Sequence, residues 1–275
     1  MMWHTLAEPF QFAFLRHALV VCTVAGALCG LLGVYVTLRG MSYIGHGLSH
    51  AIFGGAAICA AIGVNVFLGA AIWGVASGLG VSRVTRRRII APDAAIGVIT
   101  TASFAFGVAM LGLYSRVKRS IEATVFGSVL GVSVGDVWII VAVAVVTTTI
   151  VVLCYRRLLF ATFDPEVADA FGVSTAWVDA LLMLLLSFAI LSSMKVLGVT
   201  LIAAALVIPP TVARLLTNSF ARMLALSTII GALGGLVGMY LSYHLDISSG
   251  ACIVLVDFAV FTSVFAVSGW VRRDR

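Results

Sequence analysis

Residues 41–55 read MSYIGHGLSHAIFGG, an apolar run that nevertheless carries two imidazoles, His46 and His50. Four residues apart, these side chains fall on one helical face, one turn from each other. Ionisable groups are costly in hydrocarbon, so a pair placed there marks a functional position. Imidazole nitrogen suits zinc and related transition metals, although two ligands alone leave a coordination shell open. The competing reading is two polar residues hydrogen-bonded across a helix interface. Counted inward from Arg39 at 1.5 Å per residue, both rings fall about 10–16 Å below the charged surface, near the midplane.

Outward from this stretch the chain stays apolar. It is 275 residues long, 62% hydrophobic and only 10% charged, with mean hydropathy +1.17; soluble domains carry about 25% charged residues. The expected fold is an all-α, polytopic transmembrane helical bundle, one domain over residues 1–275. At about 20 apolar residues per crossing, spans are expected near 17–38, 44–62, 65–82, 93–113, 134–154, 177–194, 196–214, 223–243 and 250–270. The shortest are 65–82 and 177–194. Gly26, Gly30 and Gly33 in the first span, and Gly231, Gly234, Gly235 and Gly238 in the eighth, are spaced to let helix backbones approach closely.

The net charge is +6, but the basic residues form short clusters between apolar runs. No basic helix or aromatic platform for nucleic acid is present. With the N-terminus outside, Arg39, the Arg83/Arg86/Arg87/Arg88 group, Arg156/Arg157, Arg214/Arg222 and Arg272/Arg273/Arg275 face the cytoplasm. That is twelve basic residues inside against five outside, the bias of the positive-inside rule. The segment SRVKRS at 115–120 fits least well. Cys22, Cys29, Cys59, Cys154 and Cys252 have no paired spacing and read as buried thiols. The first seventeen residues lack the basic n-region and cleavage site of a signal peptide and read as an interfacial lead-in.

Several further features carry chemistry. The stretch YRRLLFATFDPEVADAFGVST at 155–175 is the longest polar segment and cytoplasmic in this topology. Asp164 reads as a helix N-cap, Pro165 as its first residue and Gly172 as its stop, giving one short helix that faces a soluble partner. Pro209 and Pro210, inside VLGVTLIAAALVIPPTVARLL at 196–216, are expected to break or kink that span, either lining a path or shaping a helix end. Asp257, within GACIVLVDFAVF, is the other deeply placed ionisable group; it completes a metal path or accepts a hydrogen bond from a neighbouring helix. His244 and Asp246 fall on the outer side, where they could gather a cation. Asp93 and Asp136 stand at span starts, where a carboxylate favours the helix dipole. No H-E-x-x-H, G-x-S-x-G or P-loop lysine pattern occurs, so neither an enzyme site nor a nucleotide site is expected.

In order along the chain, MSYIGHGLSHAIFGG, PDAAIGV at 92–98, VFGSVLGVSVGD at 125–136, FDPEVADAFGV at 163–173, VLGVTLIAAALVIPPTVARLL and DISSGACIVL at 246–255 resemble one family. It is the membrane permease of the zinc/manganese ABC importers, which also move iron in some bacteria. The resemblance implies a type II ABC importer-like permease in the bacterial inner membrane, with zinc or manganese as cargo and no permanent cofactor. It implies a second permease copy as a homodimer, two ATPase subunits and an extracytoplasmic metal-binding protein. The ATPases would dock through a coupling helix at about 164–172, using Asp164, Glu166, Ala168 and Gly172. His50 matches a histidine of the family, whereas the family usually carries aspartate where this chain has His46. Imidazole in place of a carboxylate moves ligation from oxygen toward nitrogen, which favours zinc. Two other classes compete. A stand-alone secondary transporter driven by protons or sodium has no need of the capped cytoplasmic helix. A membrane metalloenzyme needs a third ligand and a general base that no motif supplies.

Overall fold

The computed structural model describes residues 12–86, 89–114, 132–198 and 201–273. Among them run eleven helices and no strand. They are α1 (Ala13–Leu38), α2 (Ile44–Ile62), α3 (Val66–Thr85), α4 (Pro92–Tyr114), α5 (Val134–Leu153), α6 (Tyr155–Phe163), α7 (Pro165–Ala170), α8 (Thr175–Leu197), α9 (Ile202–Leu216), α10 (Phe220–Leu245) and α11 (Ser249–Arg273). A helix stands over each of the nine expected spans. Seven (α1, α3, α4, α5, α8, α10 and α11) are long and apolar enough to cross a membrane, while Ile44–Ala60 and Ile202–Leu216 are shorter apolar helices. The two shortest expected spans, 65–82 and 177–194, carry helices of 20 and 23 residues. The 177–194 span gains because α8 runs on to Leu197, where Gly198 at φ 78° stops it, and α9 starts correspondingly late.

At the centre stands α1, with 72% of its apolar window buried, against 17% for the peripheral α5. Lipid tails are as apolar as leucine, so helices in a membrane are held by close packing and hydrogen bonds more than by hydrophobic burial. The interface of α1 with α10 is built that way. A Cβ on Gly26 would land on the Gly231 carbonyl, and one on Gly231 would land on the Gly26 carbonyl. One turn along, Ser227 Oγ donates to the Gly30 carbonyl at 2.6 Å. The same device locks α2 to α4, where Gly107 lies against the backbone of Gly54. Gly55 faces Trp73 of α3, and Gly45 faces Ala203 and Leu206 of α9. Helix α2 is thereby clasped on three sides.

The prolines do not break their helix. Helix α9 runs unbroken from Ile202 to Leu216 with Pro209 and Pro210 inside it and buried. Adjacent prolines remove two consecutive N–H donors, a local loss that a packed helix tolerates when the freed carbonyls find other neighbours. Pro210 leaves the Leu206 carbonyl without its helical partner, and that oxygen faces Gly33 of α1. The break in the 196–216 stretch lies at Gly198, not at the prolines.

One face of the bundle gathers the end of α1, the end of α3, the start of α4, helices α6 and α7, and the start of α8, with Arg39 and Arg86 among them. On the opposite face Lys195, near the end of α8, pairs with Asp136 at the start of α5 at 2.6 Å. Asp136 also closes a capping box with Ser133, the role its place at a span start suggests. The SRVKRS segment, Arg87, Arg88 and most of VFGSVLGVSVGD lie outside the described residues.

Candidate functional site

Tyr43, His46, His50 and Phe104 form a run of rings. Successive centroids stand 5.3, 4.4 and 4.8 Å apart, and His46 meets His50 edge to face at 73°. In such a contact one ring offers its π face rather than a nitrogen to the other. Joint ligation of an ion therefore calls for one imidazole to turn. His50 Nδ1 is buried without a hydrogen-bond partner, a costly state for a polar atom. The depth of the pair follows from the helices around it. Gly45 abuts Leu206, ten residues before α9 ends at Leu216. Gly47 abuts Thr100, eight residues into α4. At 1.5 Å per residue His46 stands about 12–15 Å from those helix ends, and His50, against Phe104 twelve residues into α4, about 18 Å from the start of α4.

The remaining sequence candidates lie elsewhere. Asp257 is buried on α11 with its carboxylate against Gly234 of α10, and its Oδ1 has no hydrogen-bond partner. His244 packs against Tyr240 and Tyr243 near the end of α10, at 4.7 and 5.3 Å between ring centroids. Asp246 ends that helix in the left-handed region at φ 54°. Among the described residues no group of three or more His, Cys, Asp or Glu side chains could hold a metal ion. The five expected metal residues thus occupy three places: His46 and His50 in contact on α2, Asp257 against α10, and His244 with Asp246 at the end of α10. Sequence position gives depth for Asp257 but not the direction in which α11 turns it.

On the face that carries Arg39 and Arg86 the capped helix forms as its residues suggest. Asp164 accepts the Val167 N–H at 3.1 Å, with Pro165 at the first helical position. Gly172 at φ 79° closes the helix; its N–H donates to the Asp169 carbonyl at 3.1 Å, and that of Val173 donates to Ala168 at 2.9 Å. This pair of bonds is the Schellman arrangement, which needs a left-handed residue. An alanine at 172 should lower local stability by about 1–2 kcal/mol, seen as faster proteolysis of the 155–175 segment with the global melt little changed.

Two corrections apply to this segment. The stretch holds two helices, because YRRLLFATF forms α6, with Leu158 and Ala161 buried on one side and Arg156 and Arg157 exposed on the other. That spacing was visible in the sequence but is masked by the apolar span it directly follows. Second, Ala168 is fully buried and turned into the protein, so it is no contact for a soluble partner. The outward apolar side chains are Phe163, Val167 and Phe171, the last 78% exposed.

Sequence reasoning also missed what Arg39 holds. Its guanidinium meets Asp179 of α8 at 2.5 Å and donates through Nε to Thr162 of α6 at 3.2 Å. These partners are more than a hundred residues away, so nothing local announces them. Asp169 of α7 in turn accepts the Thr175 N–H at 2.9 Å and its hydroxyl at 2.7 Å. Those bonds, with a lesser contribution from Arg86, hold the Asp169 carboxyl below the usual carboxylate range.

With this geometry in hand, the ABC 3 transport family matches residues 11–268. The "Manganese transport system membrane protein MntC" of Listeria monocytogenes is 35% identical over 255 residues, 93% of this chain and 91% of that protein. A "Probable iron transport system membrane protein" of Haemophilus influenzae is 33% identical over 269 residues, 97% and 98% of the two chains. A chain in the solved structure "PsaBC from Streptococcus pneumoniae in complex with Fab" superposes with a TM-score of 0.85 at 29% identity, covering 96% of this chain and 95% of that one. This chain belongs to the ABC 3 transport family, the metal-importer permease family its motifs resemble, and is a multi-pass plasma-membrane transport subunit rather than an enzyme.

Proposed function

We propose that this permease imports manganese, carrying it past His46 and His50 by alternating access while a separate ATPase subunit supplies the energy. The reading of the path rests on one observation: His46 and His50 are in contact on a clasped helix, with the buried His50 Nδ1 unsatisfied. Manganese as cargo draws its support from relatives that bear that name and are matched over 84–94% of their length. The capped α7, with Phe163 and Phe171 exposed beside it, is the docking element for the ATPase. Two ATPase copies, a second permease copy and an extracytoplasmic metal-binding protein complete the transporter in this reading.

Zinc is the second reading, and one residue favours it. Imidazole at position 46 gives the path two nitrogen ligands where the family resemblance leads one to expect an oxygen and a nitrogen. Uptake of each metal at matched free-ion levels, in proteoliposomes holding the chain with its ATPase, separates the two. Manganese carried at least as fast as zinc supports the first reading; zinc carried faster overturns it. If zinc leads, His46→Asp is expected to shift preference toward manganese.

A further inference from the structure

We propose that Arg39 is a positioning residue that transmits movement of the cytoplasmic helices to the helix bearing the histidines. The inference rests on the docking role of α7 and the path role of His46 and His50. Two polar links stand in series between those elements. Asp169 holds α7 to the first turn of α8 through both the backbone and the hydroxyl of Thr175. One turn further along α8, Asp179 holds the guanidinium of Arg39, which also reaches Thr162 of α6.

Arg39 is itself the cap of α1, seven residues before His46, and a hydrogen-bonded turn joins the two helices between them. Gly40 at φ 67° donates to Thr37, Met41 donates to Val36, and Ile44 donates to the Met41 carbonyl. The first two bonds form a Schellman closure, and the third starts α2 directly from it. A displacement of the guanidinium therefore reaches α2 through a stiff turn rather than a loose loop. Room for such movement exists, since a cavity of about 500 Å³ lies beside the ion pair, bordered by Arg39, Thr85, Arg86, Glu166, Asp169 and Asp179. Arg39 is 88% covered and Asp179 77% covered, from side-chain exposures of 12% and 23%. A pair so placed is screened only weakly by salt. Arginine is suited to the task because its planar fork engages two acceptors on different helices at once, which an ammonium cannot hold in fixed geometry.

The test is the number of metal ions imported per ATP hydrolysed by the full transporter, measured for wild type, Asp179→Asn and Arg39→Lys. Melting temperature and retention of the ATPase are recorded for each. Asparagine removes the charge from the joint; lysine keeps the charge but loses the fork. Both variants are expected to fold, bind the ATPase and hydrolyse ATP, while ions per ATP fall by about tenfold in Asp179→Asn and less in Arg39→Lys, a loss of coupling rather than of binding. A merely structural pair would lower melting temperature without changing that ratio. A wild-type ratio in any variant that remains folded and ATPase-bound overturns the proposal. If Asp179→Asn does not fold, Arg39→Lys decides alone. Failure of the underlying reading looks different: wild type itself would then import without ATP or fail to retain the ATPase.

Discussion

Replacing Gly231 with leucine is expected to prevent α1 and α10 from docking, and to do so more severely than any single surface change. The Cβ would fall onto the Gly26 carbonyl, within the reach of backbone that no side-chain rotation can clear. Overpacking against flexible side chains costs about 1–3 kcal/mol; here both partners are helix backbone, so the cost lies at or above the top of that range. The loss also takes with it the Ser227 hydrogen bond to the Gly30 carbonyl, which forms only at this separation. Because α1 is the most buried element, its displacement loosens the contacts of α5, α8, α9 and α10 together. A melting curve in detergent should show a large downward shift, with Gly26→Leu giving the same result from the other side. Gly97 on α4 provides the contrast, since a Cβ there meets nothing within 4 Å. Alanine at 97 should be neutral or slightly stabilising, by up to about 1 kcal/mol, from helix propensity alone.

Much of this architecture was legible from the residues because the membrane simplifies the problem. A spanning segment must satisfy its own backbone, so length and apolarity locate helices without knowledge of their neighbours. The bounds of α2 could be read for that reason, whereas the closing Gly172 was legible from its turn chemistry. What could not be read was contact. The glycines announce close approach, but not that Gly26 meets Gly231 or that Gly54 meets Gly107. Ala168 looks like any small residue on a capped helix until α7 is seen resting its inner side on the bundle. The prolines of α9 were overrated because a missing donor breaks a helix only when the freed carbonyl has nowhere to go. Of the candidate site, the spacing of His46 and His50 was enough to bring the two rings together. The separation of Asp257, His244 and Asp246 from them depends on how α10 and α11 are turned, and no periodicity in those two apolar helices fixes that.

Loss of the His50 side chain is the second large effect expected. Alanine removes the only imidazole in the pair that has a buried nitrogen without a partner, and with it the contact to Phe104. The fold should survive, because Ile44, Leu48, Ala51 and Ile52 carry the packing of that part of α2, whereas His50 is only partly covered. Transport should not survive. An ion that must shed water inside the membrane needs a compensating ligand at the point of greatest desolvation, and a methyl group offers none. The expected result is ATP-driven uptake at the background of liposomes lacking the transporter, with ATPase retention unchanged.

Where the metal passes is the question that matters most for this permease. Uptake of manganese into proteoliposomes, with and without ATP, should be compared for wild type, His50→Ala, His244→Ala and Asp257→Asn at equal amounts of folded protein. Passage along α2 gives ATP-dependent uptake by wild type, its loss in His50→Ala, and its persistence in His244→Ala and Asp257→Asn. Full uptake by His50→Ala, or a loss confined to Asp257→Asn, would contradict it and move the path away from α2.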